Sequence, residues 1–94
     1  MKLIFYIDPE AQQPHIHGHG VAEEEVRQVM RNRAEDRPAK NGCRSAIGRT
    51  RAGRVLRVIY TPARNEHGWF VITAYDVRGK ALEAFRRRQR RRGR

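Results

Sequence analysis

The segment Arg54-Val55-Leu56-Arg57-Val58-Ile59-Tyr60 carries apolar side chains at both parities of an extended chain. A strand with one wet face alternates apolar and polar residues, so this one must be covered, at least in part, on both faces. Pro62 ends it, and residues 69–75 repeat the pattern after a loop over 63–68. A chain of 94 residues supplies one modest core and no more. Two such strands must therefore share that core. Residues 43–50 and 54–61 flank Arg51-Ala52-Gly53, which reads as a hairpin with Gly53 providing the positive φ.

The remaining elements follow from local pattern. Residues 2–7 are apolar and stop at Asp8-Pro9, as a strand does. Residues 9–20 hold two prolines, two glycines and three histidines and are expected to be loop. A helix opens near Ala22, with Glu23, Glu24 and Glu25 in its first turn, where carboxylates favour the exposed N–H groups. Val21 and Val26 have hydrophobic-staple spacing, and Val26, Val29 and Met30 form the buried stripe. Ala22 is a poor cap, having no side-chain oxygen. The helix is expected to fade over 32–35 and give way to a loop over 36–42. Residues 80–92 form a last helix with Ala81, Leu82 and Phe85 on one face. The expected architecture is a single α+β domain, a small antiparallel sheet of about four strands packed by two helices in the order β-α-β-β-β-α.

Charge is segregated along the chain. Between Arg37 and Asn65 there is no acid against eight bases, and seven of the last nine residues are arginine. Of the +11 formal charge, that tail (residues 86–94) carries seven, leaving +4 for the rest. Such a chain attracts polyanions: nucleic acid, an acidic protein or an anionic surface. Eighteen of the 21 bases are Arg, whose planar fork grips phosphate at two points. A membrane surface is the poorest of the three partners, because the helix has no apolar face to insert past Phe85. Truncation after Phe85 is expected to leave the fold intact, since the tail holds no apolar residue. The single Cys43 excludes an internal disulfide and offers no metal-site spacing. No stretch resembles a signal peptide or a transmembrane span, so a soluble protein of the cytoplasm is expected.

Four motifs carry a family likeness. His19-Gly20-Val21-Ala22-Glu23-Glu24-Glu25-Val26 resembles the helix start of BrnT-like toxins and their sister domains. Gly48-Arg49-Thr50 followed by Gly53-Arg54-Val55-Leu56-Arg57-Val58-Ile59-Tyr60-Thr61 resembles their hairpin. Val71-Ile72-Thr73-Ala74 is similar to their next strand, and the basic helix follows in order. The resemblance implies a fold of the RelE type, a curved antiparallel sheet backed by helices. It also implies an activity, RNA cleavage or translation block, and a partner, an acidic antitoxin encoded nearby. Two positions depart from the pattern: Ala22 replaces a cap serine, and Asp76 stands where relatives carry positive charge.

Metal-free RNA cleavage needs a base for the 2′-OH, cations for the phosphorus oxygens and an acid for the leaving oxygen. The candidates are Arg57, Tyr60, Tyr75, Arg78 and His19. Arg57 interrupts an apolar strand, and either projects its guanidinium into the sheet's concavity or pairs with Asp76 or a helix glutamate. Tyr60 and Tyr75 stand near strand ends, as proton donors, base-stacking rings or core residues with one wet end. His19 precedes the helix N-terminus as a general base or as a loop residue bonded to backbone. Arg49, Arg51, Arg54, Arg64, Arg86, Arg87, Arg88, Arg90 and Arg91 are the expected RNA contacts. His15, His17 and His19 alternate, but no acid or Cys falls at matching spacing, so neither metal nor cofactor is expected. A non-catalytic nucleic-acid-binding module on the same basic face is the alternative. The oligomeric state is left open, a homodimer included.

Overall fold

The computed structural model describes residues 2–63 and 67–93. It is an α+β domain with a mixed five-stranded sheet and two α-helices. The sheet strands are β1 (Lys2–Phe5), β4 (Glu35–Pro38), β5 (Arg44–Arg49), β6 (Val55–Pro62) and β7 (Gly68–Asp76), in the spatial order β1-β7-β6-β5-β4. Helix α1 spans Glu23–Arg31 and α2 spans Gly79–Arg92. The stretch expected as an N-terminal loop instead forms a two-stranded ribbon, β2 (Ile7–Asp8) with β3 (Gln13–Pro14), followed by a 3₁₀ turn over His15–His19.

Three features depart from the expected sheet, and the first of them breaks its all-antiparallel arrangement. β1 runs parallel to β7, with Leu3 opposite Trp69 and Phe5 opposite Val71. Gly68 permits this join, because a Cβ there would collide with the Lys2 carbonyl. Glu35–Pro38, expected as helix end and loop, pairs antiparallel with β5 as an edge strand. It ends at Pro38, a residue that edge strands tolerate. Third, Ile59 faces Thr73 while Tyr60 faces Val71, so Ile72 is an extra residue, a bulge in β7. The bulge explains why both parities of β7 are apolar. Val71 lies on one face of the sheet and Thr73 and Tyr75 lie on the other.

The sheet's two faces are unequal. On the first, α1 and the 3₁₀ turn cover Ala46, Leu56, Val58, Tyr60, Val71 and Ala74, with Ile16, Val21, Val26, Val29 and Met30 packed against them. Val21 and Val26 are both buried, as a staple requires. Ala22 caps nothing with its side chain, but Glu25 Oε1 accepts the Ala22 N–H at 3.0 Å, the reciprocal half of a capping box. On the second face, α2 covers one end only: Phe85 and Leu82 pack on Ile47, Val55, Val77 and Ala34. Gly79, at φ +58°, turns the chain from β7 into that helix. Register places Arg37, Ser45, Arg57, Ile59, Thr73 and Tyr75 on the part of this face beyond α2.

The basic tail is helical and partly docked. Arg88 donates from Nε and Nη2 to both oxygens of Glu35, at 2.7 and 2.9 Å, and Arg92 Nη1 donates to the Ala34 carbonyl at 2.8 Å. The Glu35 side chain is only 5% exposed. Its carboxyl is held below the ordinary glutamate range, chiefly by the hydrogen bonds from Arg88. Removing the residues after Phe85 would take away the hydrogen bonds that Glu35 accepts from Arg88. No described residue past Phe85 is part of the core, but the tail is docked on the domain through Arg88 and Arg92. Arg86, Arg87, Arg90 and Arg91 point to solvent.

Candidate functional site

Arg57 is the pivot of the open face. It sits directly opposite Tyr75 across β6 and β7, and opposite Ile47 across β5. Cross-strand partners of this kind bring side chains into contact. Its Nη1 donates to Ser45 Oγ at 2.7 Å. Among the described residues it makes no ion pair with Asp76 or with a glutamate of α1. Together with Glu35, Arg37, Pro38, Ser45, Ile47 and Arg88 it lines a cavity of about 280 Å³. Glu35 is already neutralised by Arg88. Among the described residues neither Arg37 nor Arg57 has a carboxylate at ion-pair distance, although the charge of Arg37 helps Arg88 to hold the Glu35 carboxyl low.

Tyr75, the cross-strand neighbour of Arg57, lines a second cavity. A cleft of about 370 Å³ is lined by Gly18, His19, Tyr75, Asp76 and Arg78. The His19 and Tyr75 rings are 6.0 Å apart. Arg78, 82% exposed, donates Nη2 to Asp76 Oδ2 at 3.0 Å. Three of the five expected catalytic residues, His19, Tyr75 and Arg78, thus line one cleft, and a fourth, Arg57, is the cross-strand partner of Tyr75.

Tyr60 does not join them. It is buried on the opposite face at 1% exposure, edge-on to Trp69 at 5.2 Å between ring centroids. Its hydroxyl donates to Asp36 Oδ2 and accepts from Arg33 Nη1 at 3.3 Å. Burial and the Asp36 carboxylate both push its pKa up. The bulge at Ile72 separates the two tyrosines, which lie on the same sequence pattern but on different faces. Tyr60→Phe is expected to lower stability by about 1 kcal/mol, one hydrogen bond's worth, and to leave any chemistry at Arg57 unchanged. Denaturant midpoints set against RNA turnover would check both parts.

The arginines expected to contact RNA divide in the same way. Arg54 is an internal tie. It donates Nε and Nη2 to Asp76 at 2.7 and 2.9 Å, and Nη1 to Glu25 and to the Gly20 carbonyl, each at 2.9 Å. That one guanidinium joins the start of α1, the end of the 3₁₀ turn and the end of β7. Asp76, the acid at a position where positive charge was expected, is the anchor of this tie. The hydrogen bonds from Arg54 hold its carboxyl at about 2. Arg88 belongs to Glu35, as described above. Arg49 lies over the Phe85 ring at 5.7 Å, and Arg51 reaches Glu24 at 3.4 Å while remaining 76% exposed. Arg86, Arg87, Arg90 and Arg91 are free in solvent, and Arg64 lies outside the described residues.

A depressed carboxylate stabilises the fold above its ordinary pKa and loses that contribution as pH falls through the folded value. Asp76 therefore stabilises the protein above about pH 4 and ceases to do so near pH 2. Discounted for solvent screening, the contribution is about 1 kcal/mol. Asp76→Asn should remove it at neutral pH and flatten the acid limb of a plot of unfolding free energy against pH. A limb as steep as wild type would show that other carboxylates set it.

Arg37 and Ser45 were missed by sequence reasoning. They reach the site because β4 pairs with β5, and the only trace of that pairing in sequence is the alternation of Glu35 and Arg37 about Asp36. Among the described residues, no group of three His, Cys, Asp or Glu side chains could hold a metal ion. No described helix is long and apolar enough to cross a membrane. No protein-family model, curated protein or solved structure matches the chain.

Proposed function

We propose that the protein is an RNA-acting domain of the RelE/BrnT toxin kind, the toxic half of a pair held in check in the cytoplasm by an acidic antitoxin. The observation that carries this reading is the gathering of Arg57, Tyr75, His19 and Arg78, beside a cavity in which Arg37 and Arg57 lack carboxylate partners. Free guanidinium groups on a half-buried face suit a phosphodiester whose charge grows during cleavage. His19 or Tyr75 would take the 2′-OH proton, and the other would supply one to the leaving oxygen. The antitoxin would cover the Arg57 face and the exposed arginines of α2, where acidic side chains set specificity and on-rate more than affinity.

A test is to incubate the purified protein, free of any partner, with single-stranded RNA and with translating ribosomes. Cleavage or arrest is expected, and expression alone should slow bacterial growth until the neighbouring gene is supplied. Intact RNA together with harmless overexpression would remove the toxin reading. One observation favours a second reading, a non-catalytic binding module on the same face. Tyr60, a candidate proton donor, is buried on the far side, which leaves fewer groups for proton transfer.

Both readings require salt-dependent binding. Log K should fall with log[salt] by about 0.7 for each phosphate neutralised on a single strand. Replacing Arg86, Arg87, Arg90 and Arg91 together by Ala should flatten that slope without unfolding the domain, since all four are exposed. Affinity indifferent to salt would exclude a polyanion ligand.

A further inference from the structure

Four rings form a row along one margin of the domain. Tyr6 and His15 are 6.1 Å apart between centroids, His15 and His19 5.3 Å, and His19 and Tyr75 6.0 Å. The row is built. The His15 N–H donates to the Tyr6 carbonyl at 2.9 Å, and Asp8 Oδ2 lies 3.5 Å from His15 Nδ1. Buried Ile16 anchors the 3₁₀ turn that carries both histidines. His15 and His19 meet edge to face at 75°, and the two outer pairs are tilted by 55° and 59°, so no two rings of the row are stacked face on face. The row is also wet at both ends. Tyr6 is 41% exposed and Tyr75 37%, and they are two of the three large apolar residues left exposed in the described chain. At the Tyr75 end stand Arg57 and Arg78. Exposed apolar rings are ordinarily a liability, and a row of them leading to Arg57, which has no carboxylate partner among the described residues, and to the largely exposed Arg78 asks for a ligand that has both flat apolar faces and negative charge.

We infer that this row is a stacking platform for the unpaired bases of a single-stranded nucleic acid, which runs along it with its phosphates on Arg57 and Arg78. This inference rests on the RNA-acting reading and narrows its substrate to strands whose bases are not paired. Bases in a duplex keep their faces against one another and cannot reach the rings. Stacking on aromatic side chains tolerates any base, and it contributes for each base an amount that alanine substitution can read.

The test uses four probes of equal length: single-stranded RNA, single-stranded DNA, duplex RNA and an abasic phosphodiester chain. The two single strands are expected to bind alike, because stacking reads bases and not the 2′-OH, and both should bind at least 10-fold more tightly than the duplex or the abasic chain. Tyr6→Ala should weaken single-strand binding about 5- to 100-fold and leave abasic affinity unchanged, whereas Tyr6→Phe, which keeps the ring, should bind as wild type. Tyr6 makes its strand contact through its backbone N–H to the Val71 carbonyl, so the Ala variant should fold, as circular dichroism would verify. Equal affinity for the single strand and the abasic chain, or equal affinity of Tyr6→Ala and Tyr6→Phe, would overturn the platform while leaving the RNA-acting reading in place. Binding to none of the four probes would overturn both.

Discussion

Under the proposed RNA-cleaving reading, Arg57→Ala is expected to lower the rate by about 10²–10³-fold, the usual consequence of losing one preorganised donor to a transition-state charge. Ground-state affinity should change far less, because Arg37 lines the same cavity and the exposed arginines of α2 share the phosphate contacts. Arg57→Lys should recover only part of the rate, since a point charge does not reproduce the planar fork. Ser45→Ala offers a finer measure. Ser45 Oγ holds Arg57 Nη1, so its loss should lower the turnover rate while leaving affinity nearly intact. The pattern to look for is a large effect at Arg57, a smaller one at Ser45 and none at Tyr60. A cleavage rate indifferent to Arg57, in a protein that does cut RNA, would move the chemistry elsewhere.

The second large effect lies in stability. Phe85→Ala should cost about 3–5 kcal/mol, because the ring is 1% exposed and is the largest apolar group α2 presents to Ile47, Val55 and Val77. Arg88→Ala, by stripping the buried Glu35 of its bidentate partner, should also destabilise the fold, though less than Phe85→Ala; Arg88 is itself one-third exposed, so water offsets part of the loss. Glu35 is held low, so its contribution is present above its ordinary pKa and fades as pH falls below that value. At low pH the Arg88→Ala variant should therefore converge on wild type. Urea denaturation of both variants at neutral and acid pH decides the matter. A wild-type midpoint for Phe85→Ala would mean that α2 is not anchored as described.

The elements that show in the sequence are those that local chemistry specifies. Val26, Val29 and Met30 repeat at helical spacing and lie buried where α1 meets the sheet. Gly53, at φ +90°, turns the hairpin as its type requires. What did not show depends on partners distant in sequence. Glu35–Pro38 is charged and ends in proline, and becomes a strand only because β5 offers it an edge. β1 joins in parallel only because Gly68 lets its backbone approach. The site was legible in residue type and not in face. Arg54 and Arg57 stand three apart in one basic strand, yet Arg54 is spent on Asp76 and Glu25 while Arg57 faces the open cavity. Tyr60 and Tyr75 look alike in sequence, and one extra residue, Ile72, separates them onto opposite faces.

The parallel pairing of β1 with β7 bears on the order of assembly. The first strand to leave the ribosome has as its partner the last strand of the sheet, so Leu3 and Phe5 wait without an edge until residues 68–71 have emerged. Pairings so distant in sequence form late. The row that begins at Tyr6 and ends at Tyr75 closes in the same event, because Tyr6 is fastened to Val71 and Tyr75 lies four residues further along that strand. In pulse-labelled refolding the Tyr6 amide should gain protection with β7 and after the β5–β6 hairpin. A nascent chain stopped before β7 would carry most of the residues of the arginine cavity and three of the four rings, with Tyr75 still to come.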